Sequence, residues 1–185
     1  MKKYISIIFV LSFLFFFQSC SSQSSATDNH ITNELVNSQE FTFHAQRANP
    51  TNYDVIKVMN SIPNSTATRI LDLSGDYTIT IKSGTLESYL PYFGRTFNSS
   101  SYGNTEKAGY RFTSKDFTIN KSQNKKGTWI VKIKPNDVNY VDEIIIEVFK
   151  NGKAFTSIRG NDRQPISYDG YVSKNEEPKT TKSEL

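Results

Sequence analysis

Apolar residues recur at every second position in run after run of this chain. In 40-EFTFHAQ-46, Phe41, Phe43 and Ala45 alternate with Thr42, His44 and Gln46. In 76-DYTITIK-82, Tyr77, Ile79 and Ile81 share one side, and in 129-WIVKIKP-135, Trp129, Val131 and Ile133 face away from Ile130, Lys132 and Lys134. A period of two is the mark of a strand with one buried face. The denser 143-EIIIEVF-149 suits a strand near the middle of a sheet. Between the runs lie turn-forming stretches, 74-SGD-76, 83-SG-84, 124-NKKG-127 and 151-NG-152.

The last of these predicts a type I′ hairpin, because Asn and Gly both accept positive φ, so strands near 142–150 and 153–160 pair antiparallel. A final strand near 164–172 carries Ile166, Tyr168 and Val172. One segment breaks the pattern: in 53-YDVIKVMNSI-62, Val55, Met59 and Ile62 have helical spacing and Asn52 is placed to cap, which leaves helix and strand both open there. About eight strands at hairpin spacing indicate an all-β domain, an antiparallel barrel or sandwich.

The N-terminus reads as an address. Lys2 and Lys3 precede an apolar run from Ile5 to Phe17, too short to span a bilayer and of the form of a secretory signal. It ends in 17-FQSC-20, which resembles a bacterial lipidation box. The reading is cleavage after residue 19 and lipid chains on Cys20, anchoring the protein at the cell envelope, on the outer membrane and facing the periplasm. The chain has one cysteine, so an internal disulfide is impossible. One acyl chain anchors marginally and two or more anchor stably. The precursor's formal charge of +4 shrinks further once Lys2 and Lys3 are removed, and so small a balance gives no footprint for nucleic acid. Residues 20–38 read as the lipidated cysteine and a polar, flexible tether, 39–172 as the β domain, and 173–185 as a disordered, charged tail.

Reactive groups are sparse. His30 falls in the expected tether and His44 on the polar side of the first strand. There is no GxSxG elbow and no phosphate-binding Gly-rich loop. Asp72 and Asp76 straddle a turn, Asp142 and Glu143 are adjacent, and Glu87 has no nameable carboxylate partner. The expectation is a protein that is not an enzyme, with no metal and no cofactor.

What remains is an aromatic cluster around a proline, YLPYFGR at 89–95. Two roles stay open for it: a structural seam, or a wall in which Tyr89 and Phe93 face a ligand or partner while Arg95 fixes an anionic group. Arg163 poses the same choice, between pairing with an Asp at its turn and acting as a cation at a pocket mouth. YLPYFGR is followed by 109-GYRF-112, by 125-KKGTWIVKIKP-135, by the Asn-Gly hairpin and by 163-RQPISYDG-170. That ordered set resembles a family of bacterial envelope proteins known as domain of unknown function 4251, over roughly residues 40–172. The resemblance implies a small lipocalin-like β-barrel, frequently with a lipoprotein signal, and no assigned activity.

A barrel of this size is either filled by side chains or just able to hold one small ligand. The first functional expectation is therefore a barrel that binds a small apolar or amphipathic ligand, in a cavity lined by some of Tyr89, Tyr92, Phe93, Tyr110, Phe112 and Trp129. The alternative is a filled barrel that docks another envelope protein.

Overall fold

The computed structural model describes residues 26–64, 66–97 and 109–176. The signal segment and Cys20 lie outside them.

Nine antiparallel strands form one sheet in the order β4-β3-β2-β1-β9-β8-β7-β6-β5. They are β1 (Phe41–Pro50), β2 (Thr78–Lys82), β3 (Thr85–Pro91), β4 (Gly109–Ser114), β5 (Phe117–Gln123), β6 (Trp129–Pro135), β7 (Glu143–Val148), β8 (Lys153–Arg159) and β9 (Ile166–Ser173). The sheet curls into a nearly closed barrel, and its outermost strands, β4 and β5, face each other across the seam without pairing. The alternating residues turn inward as the period of two requires. Phe41, Phe43, Ile79, Ile81, Leu86, Leu90, Val131, Ile133, Ile144, Ile146, Ile158 and Tyr168 are all buried.

Loop side chains seal the seam. Between β6 and β7, the Tyr140 hydroxyl donates to the Arg111 carbonyl of β4 at 3.0 Å. Asp137 accepts from the Ser114 hydroxyl and from the backbone N–H groups of Lys115 and Asp116. These bonds, the Ser114 hydroxyl first, hold the Asp137 carboxyl below its usual range. An open sheet edge is a template for unwanted pairing, and here the Arg111 carbonyl of that edge is taken by Tyr140.

Among the described residues, three helices accompany the barrel: α1 (Ala26–Ser38), α2 (Tyr53–Asn60) and α3 (Ala67–Leu71). The helical spacing in 53–62 is realised as α2, with the Asn52 side chain accepting from the Asp54 N–H at 2.8 Å. Two sequence boundaries are corrected. Residues 26–38 form α1 where a flexible tether was expected. Its hold on the barrel is mostly polar: Trp129 Nε1 donates to Asn33 Oδ1 at 2.7 Å, Lys121 Nζ donates to the Asn37 carbonyl at 2.8 Å, and among its described side chains Val36 and Thr32 alone are buried. So thin an apolar stripe leaves no periodic signal. At the other terminus the domain runs past residue 172, since Asn175 accepts from the Thr42 hydroxyl and donates to the Ile81 carbonyl.

The Asn-Gly hairpin forms, with a different turn. Phe149 N donates to the Lys153 carbonyl, Gly152 N donates to the Phe149 carbonyl, and Gly152 has a positive φ of 76° while Asn151 does not. This is the three-residue loop with a bulge rather than type I′.

β1 sets the two ends of the barrel. Its Thr42 pairs with Ser173 near α1, and its Pro50 pairs with Ile166 near α2. A bulge at Gln46 shifts the register midway.

Candidate functional site

β3 carries Leu86, Ser88 and Leu90 inward and ends at Pro91, where the ladder to β4 closes on Gly109. A proline there withholds no needed donor. Its carbonyl accepts from the buried Tyr168 hydroxyl at 2.6 Å. Beyond it the chain bends back on itself. The Tyr92 hydroxyl lies 2.8 Å from the Arg95 carbonyl and 3.0 Å from the Gln164 carbonyl. Gly94 lies beneath that ring, where a side-chain carbon would stand 2.3 Å from the Tyr92 oxygen. The turn is then pinned to the β8–β9 connection by Gln164 N to the Arg95 carbonyl and Phe97 N to the Asp162 carbonyl.

Arg163 stands at the centre of this junction, and its side chain is fully buried. Nε and Nη2 donate to the two carboxylate oxygens of Asp162 at 2.8 and 2.9 Å, and Nη1 donates to the Gly109 carbonyl at 3.1 Å. The guanidinium carbon lies 5.1, 5.0 and 5.5 Å from the ring centres of Tyr92, Tyr110 and Tyr140. A buried cation is tolerated only when paired and hydrogen-bonded, and a planar fork over aromatic faces meets both needs. Burial opposes the charge, but the hydrogen bonds and charge of Asp162 outweigh it and raise the Arg163 pKa.

The same burial pushes the tyrosines up. Desolvation raises the pKa of Tyr92, of Tyr110 and of Tyr168 above the ordinary value near 10. The Tyr110 hydroxyl has no hydrogen-bond partner among the described residues. A phenol whose folded pKa lies above its unfolded one stays protonated longer in the fold. Its contribution is therefore complete below about pH 10 and is lost as pH rises beyond that, toward the folded value. Urea midpoints should fall as pH rises from about 10 to about 12, and Tyr110→Phe should flatten part of that fall. A midpoint independent of pH over this range would contradict the burial of these hydroxyls.

The structure divides the other residues singled out from sequence. Tyr92, Tyr110 and Arg163 come together. Phe112 meets Tyr140 edge-on at 6.1 Å. Tyr89 points outward, stacked on Tyr77 at 5.8 Å and covered by the Arg111 guanidinium at 4.3 Å. Phe93 is half-buried against the core. Trp129 lies at the α1 end, away from the rest. The six aromatics expected to line one ligand cavity therefore line none in common, because inward residues fill the barrel and the others lie outside it. Arg163 takes the first of its two roles, the pairing with a neighbouring Asp. The sequence reading missed Tyr140, whose segment between β6 and β7 has no periodicity to draw attention to it.

Arg95 belongs to a different surface. With Asp54, Val55, Val58 and Met59 it lines an apolar hollow of about 340 Å³ against α2. Here α2 has more apolar surface than the barrel covers. Met59 is buried and Ile56 packs on the core, while Tyr53 and Val58 are 68 and 63 % exposed, and Ile62 just past the helix is exposed too. Among the described residues, no group of three or more His, Cys, Asp or Glu could hold a metal ion, and no helix is long and apolar enough to cross a membrane.

Comparison with known proteins agrees with this architecture. The family model of the domain of unknown function DUF4251 matches residues 23–172. A crystal structure of a DUF4251 family protein from Bacteroides eggerthii shares the fold, with a TM-score of 0.51 at 13 % identity over 82 % of this chain and 90 % of that one. No curated protein matches. The motifs that meet at Arg163 thus lie within the matched span, and the chain belongs to the DUF4251 family.

Proposed function

We propose that this protein is a non-enzymatic, lipid-anchored module of the bacterial cell envelope that docks another envelope protein through the apolar face of α2. The observation that carries this reading is a filled barrel beside an uncovered helix face. α2 buries Met59 and packs Val55 and Ile56 on the core, yet Tyr53 and Val58 remain exposed, more apolar surface than its contacts with the barrel cover. Tyr53 and Val58 supply large contact area, and Arg95 at the edge of the hollow can pair with an acidic group on the partner. The anchor is the lipid on Cys20, read from the basic and apolar start of the chain and the FQSC segment. Small-ligand binding inside the barrel is the weaker reading, because Leu90, Ile144, Tyr110 and Arg163 occupy that space.

Val58→Asp tests the proposal. Val58 is solvent-facing, so the variant should melt within about 0.5 kcal/mol of the parent. Its capture of a crosslinked partner from detergent-solubilised membranes should drop at least about tenfold, as for a hot-spot residue. Recovery of the parent protein as a lone monomer with no crosslinked species, or equal capture by the variant, would overturn it.

A further inference from the structure

We infer that the α1 end of the barrel rests on the surface of a bilayer containing anionic lipid, through a basic face made by Lys126, Lys150 and Lys153 around Phe149. Part of the argument, the nearness of the bilayer, rests on the lipid-anchor reading; the charge and shape of the face do not.

The first observation is the face itself. The β5–β6 and β7–β8 turns and the adjoining stretch of β1 and β9 enclose a surface hollow of about 710 Å³. Lys126, Lys150 and Lys153 border it, all exposed, and none is in an ion pair among the described residues. Lys125 adds a fourth cation in the same turn. Asp169 is the one acid in the lining, and its carboxylate is engaged by Asn49 Nδ2 at 2.7 Å. Glu147 stands next along β7, half-buried. Phe149 is 40 % exposed in the midst of the lysines. A bulky apolar side chain ringed by lysines is the pattern of a surface that sits at a headgroup boundary, where the ring enters and the ammonium groups meet phosphates.

The second observation is where the N-terminal chain leaves the barrel. The Thr32 hydroxyl donates to the Lys150 carbonyl at 3.5 Å, so α1 passes directly over this turn. From Thr32 back to Ala26 is about 9 Å of helix. From Ala26 back to Cys20 is six residues, at most about 20 Å fully extended. A lipid on Cys20 therefore holds the Lys150 turn within roughly 30 Å of the bilayer. The α2 end stands farther off by the length of β1, about 33 Å for ten residues. Because α1 is packed on the barrel, the short reach makes this orientation far more probable statistically than an 18-residue free tether would. It also leaves the apolar face of α2 directed away from the membrane.

The test uses the full mature chain carrying Cys20→Ser, so that no lipid contributes. It is sedimented with vesicles of phosphatidylcholine alone and of an equimolar mixture with phosphatidylglycerol, at low and high salt. The expected result is binding to the anionic vesicles only, lost at high salt and reduced roughly tenfold or more by joint Lys126→Glu, Lys150→Glu and Lys153→Glu. All three positions are exposed, so the variant should keep the parent's melting temperature. Val58→Asp should leave vesicle binding unchanged. Equal binding to neutral and anionic vesicles, no binding to either, or binding unaffected by the three reversals would overturn the inference. Fatty-acid labelling of the unsubstituted chain separates the two claims: a labelled protein whose Cys20→Ser form ignores anionic vesicles keeps its anchor and loses this face.

Discussion

Replacing Arg163 by Met should lower stability by about 3 kcal/mol, or roughly 6–12 °C in Tm for a domain of this size. The cause is specific. Arg163 satisfies both oxygens of Asp162 and the Gly109 carbonyl, and its removal leaves a largely buried carboxylate and a buried carbonyl without their donors. Met fills similar volume, so little of the loss comes from a cavity. Lys in the same place should cost about 2 kcal/mol, because a point charge cannot serve two carboxylate oxygens and a distant carbonyl together. Adding Asp162→Asn to the Met variant should cost less than the two separate losses combined, since the carboxylate stranded by the first change is neutralised by the second. Urea denaturation of the five proteins measures all of this, and additivity in the Met and Asn cycle would show that the pair is not a unit.

The second large effect is at the β1–β9 bulge. A side-chain carbon at Gly170 would lie 1.9 Å from the His44 carbonyl oxygen and 3.0 Å from the Phe43 ring. The oxygen is backbone and cannot step aside as a flexible side chain would. Gly170→Ala must therefore spread the two strands that pair most extensively, or shift the bulge, at about 3 kcal/mol. In a strand free of such contact the same change would stabilise by up to about 1 kcal/mol. Gly75→Ala, whose new carbon would meet only the Tyr77 ring at 3.0 Å, should be far milder. Equal melting temperatures for the two variants would mean that the bulge is not as tight as described.

The strands were legible from sequence because each buries one face: Phe41, Phe43, Ile79, Ile81, Val131 and Ile133 alternate in the chain and turn inward together. The seam was not. What holds β4 against the loops is Tyr140 on a carbonyl, Asp137 on two N–H groups and Arg163 on another carbonyl, and such contacts between polar side chains and backbone have no sequence period. α1 escaped for the same reason, since Asn33, Asn37 and Thr32 look like linker residues until Trp129, Lys121 and Lys150 are seen beside them. At the candidate site, Arg163 beside Asp162 could be read as a pair, whereas its burial among Tyr92, Tyr110 and Tyr140 depends on chain segments up to about seventy residues apart.

The aromatics of YLPYFGR thus divide their work. Leu90 fills the barrel, Tyr92 folds back over Gly94 and stacks on Arg163, and Pro91 gives its carbonyl to Tyr168. Tyr89 remains outside in a ladder with Tyr77 and Arg111. The stretch locks one end of a filled barrel, and the docking face we propose lies on the helix beside it.

Methyl NMR of the mature chain, titrated with a panel of fatty acids and phospholipids, tests that account most directly. A filled barrel predicts that the methyl signals of Ile81, Leu90 and Ile144 stay in place throughout, whatever happens at the surface. Saturable shifts of those interior methyls would show that a ligand enters the barrel and would contradict it.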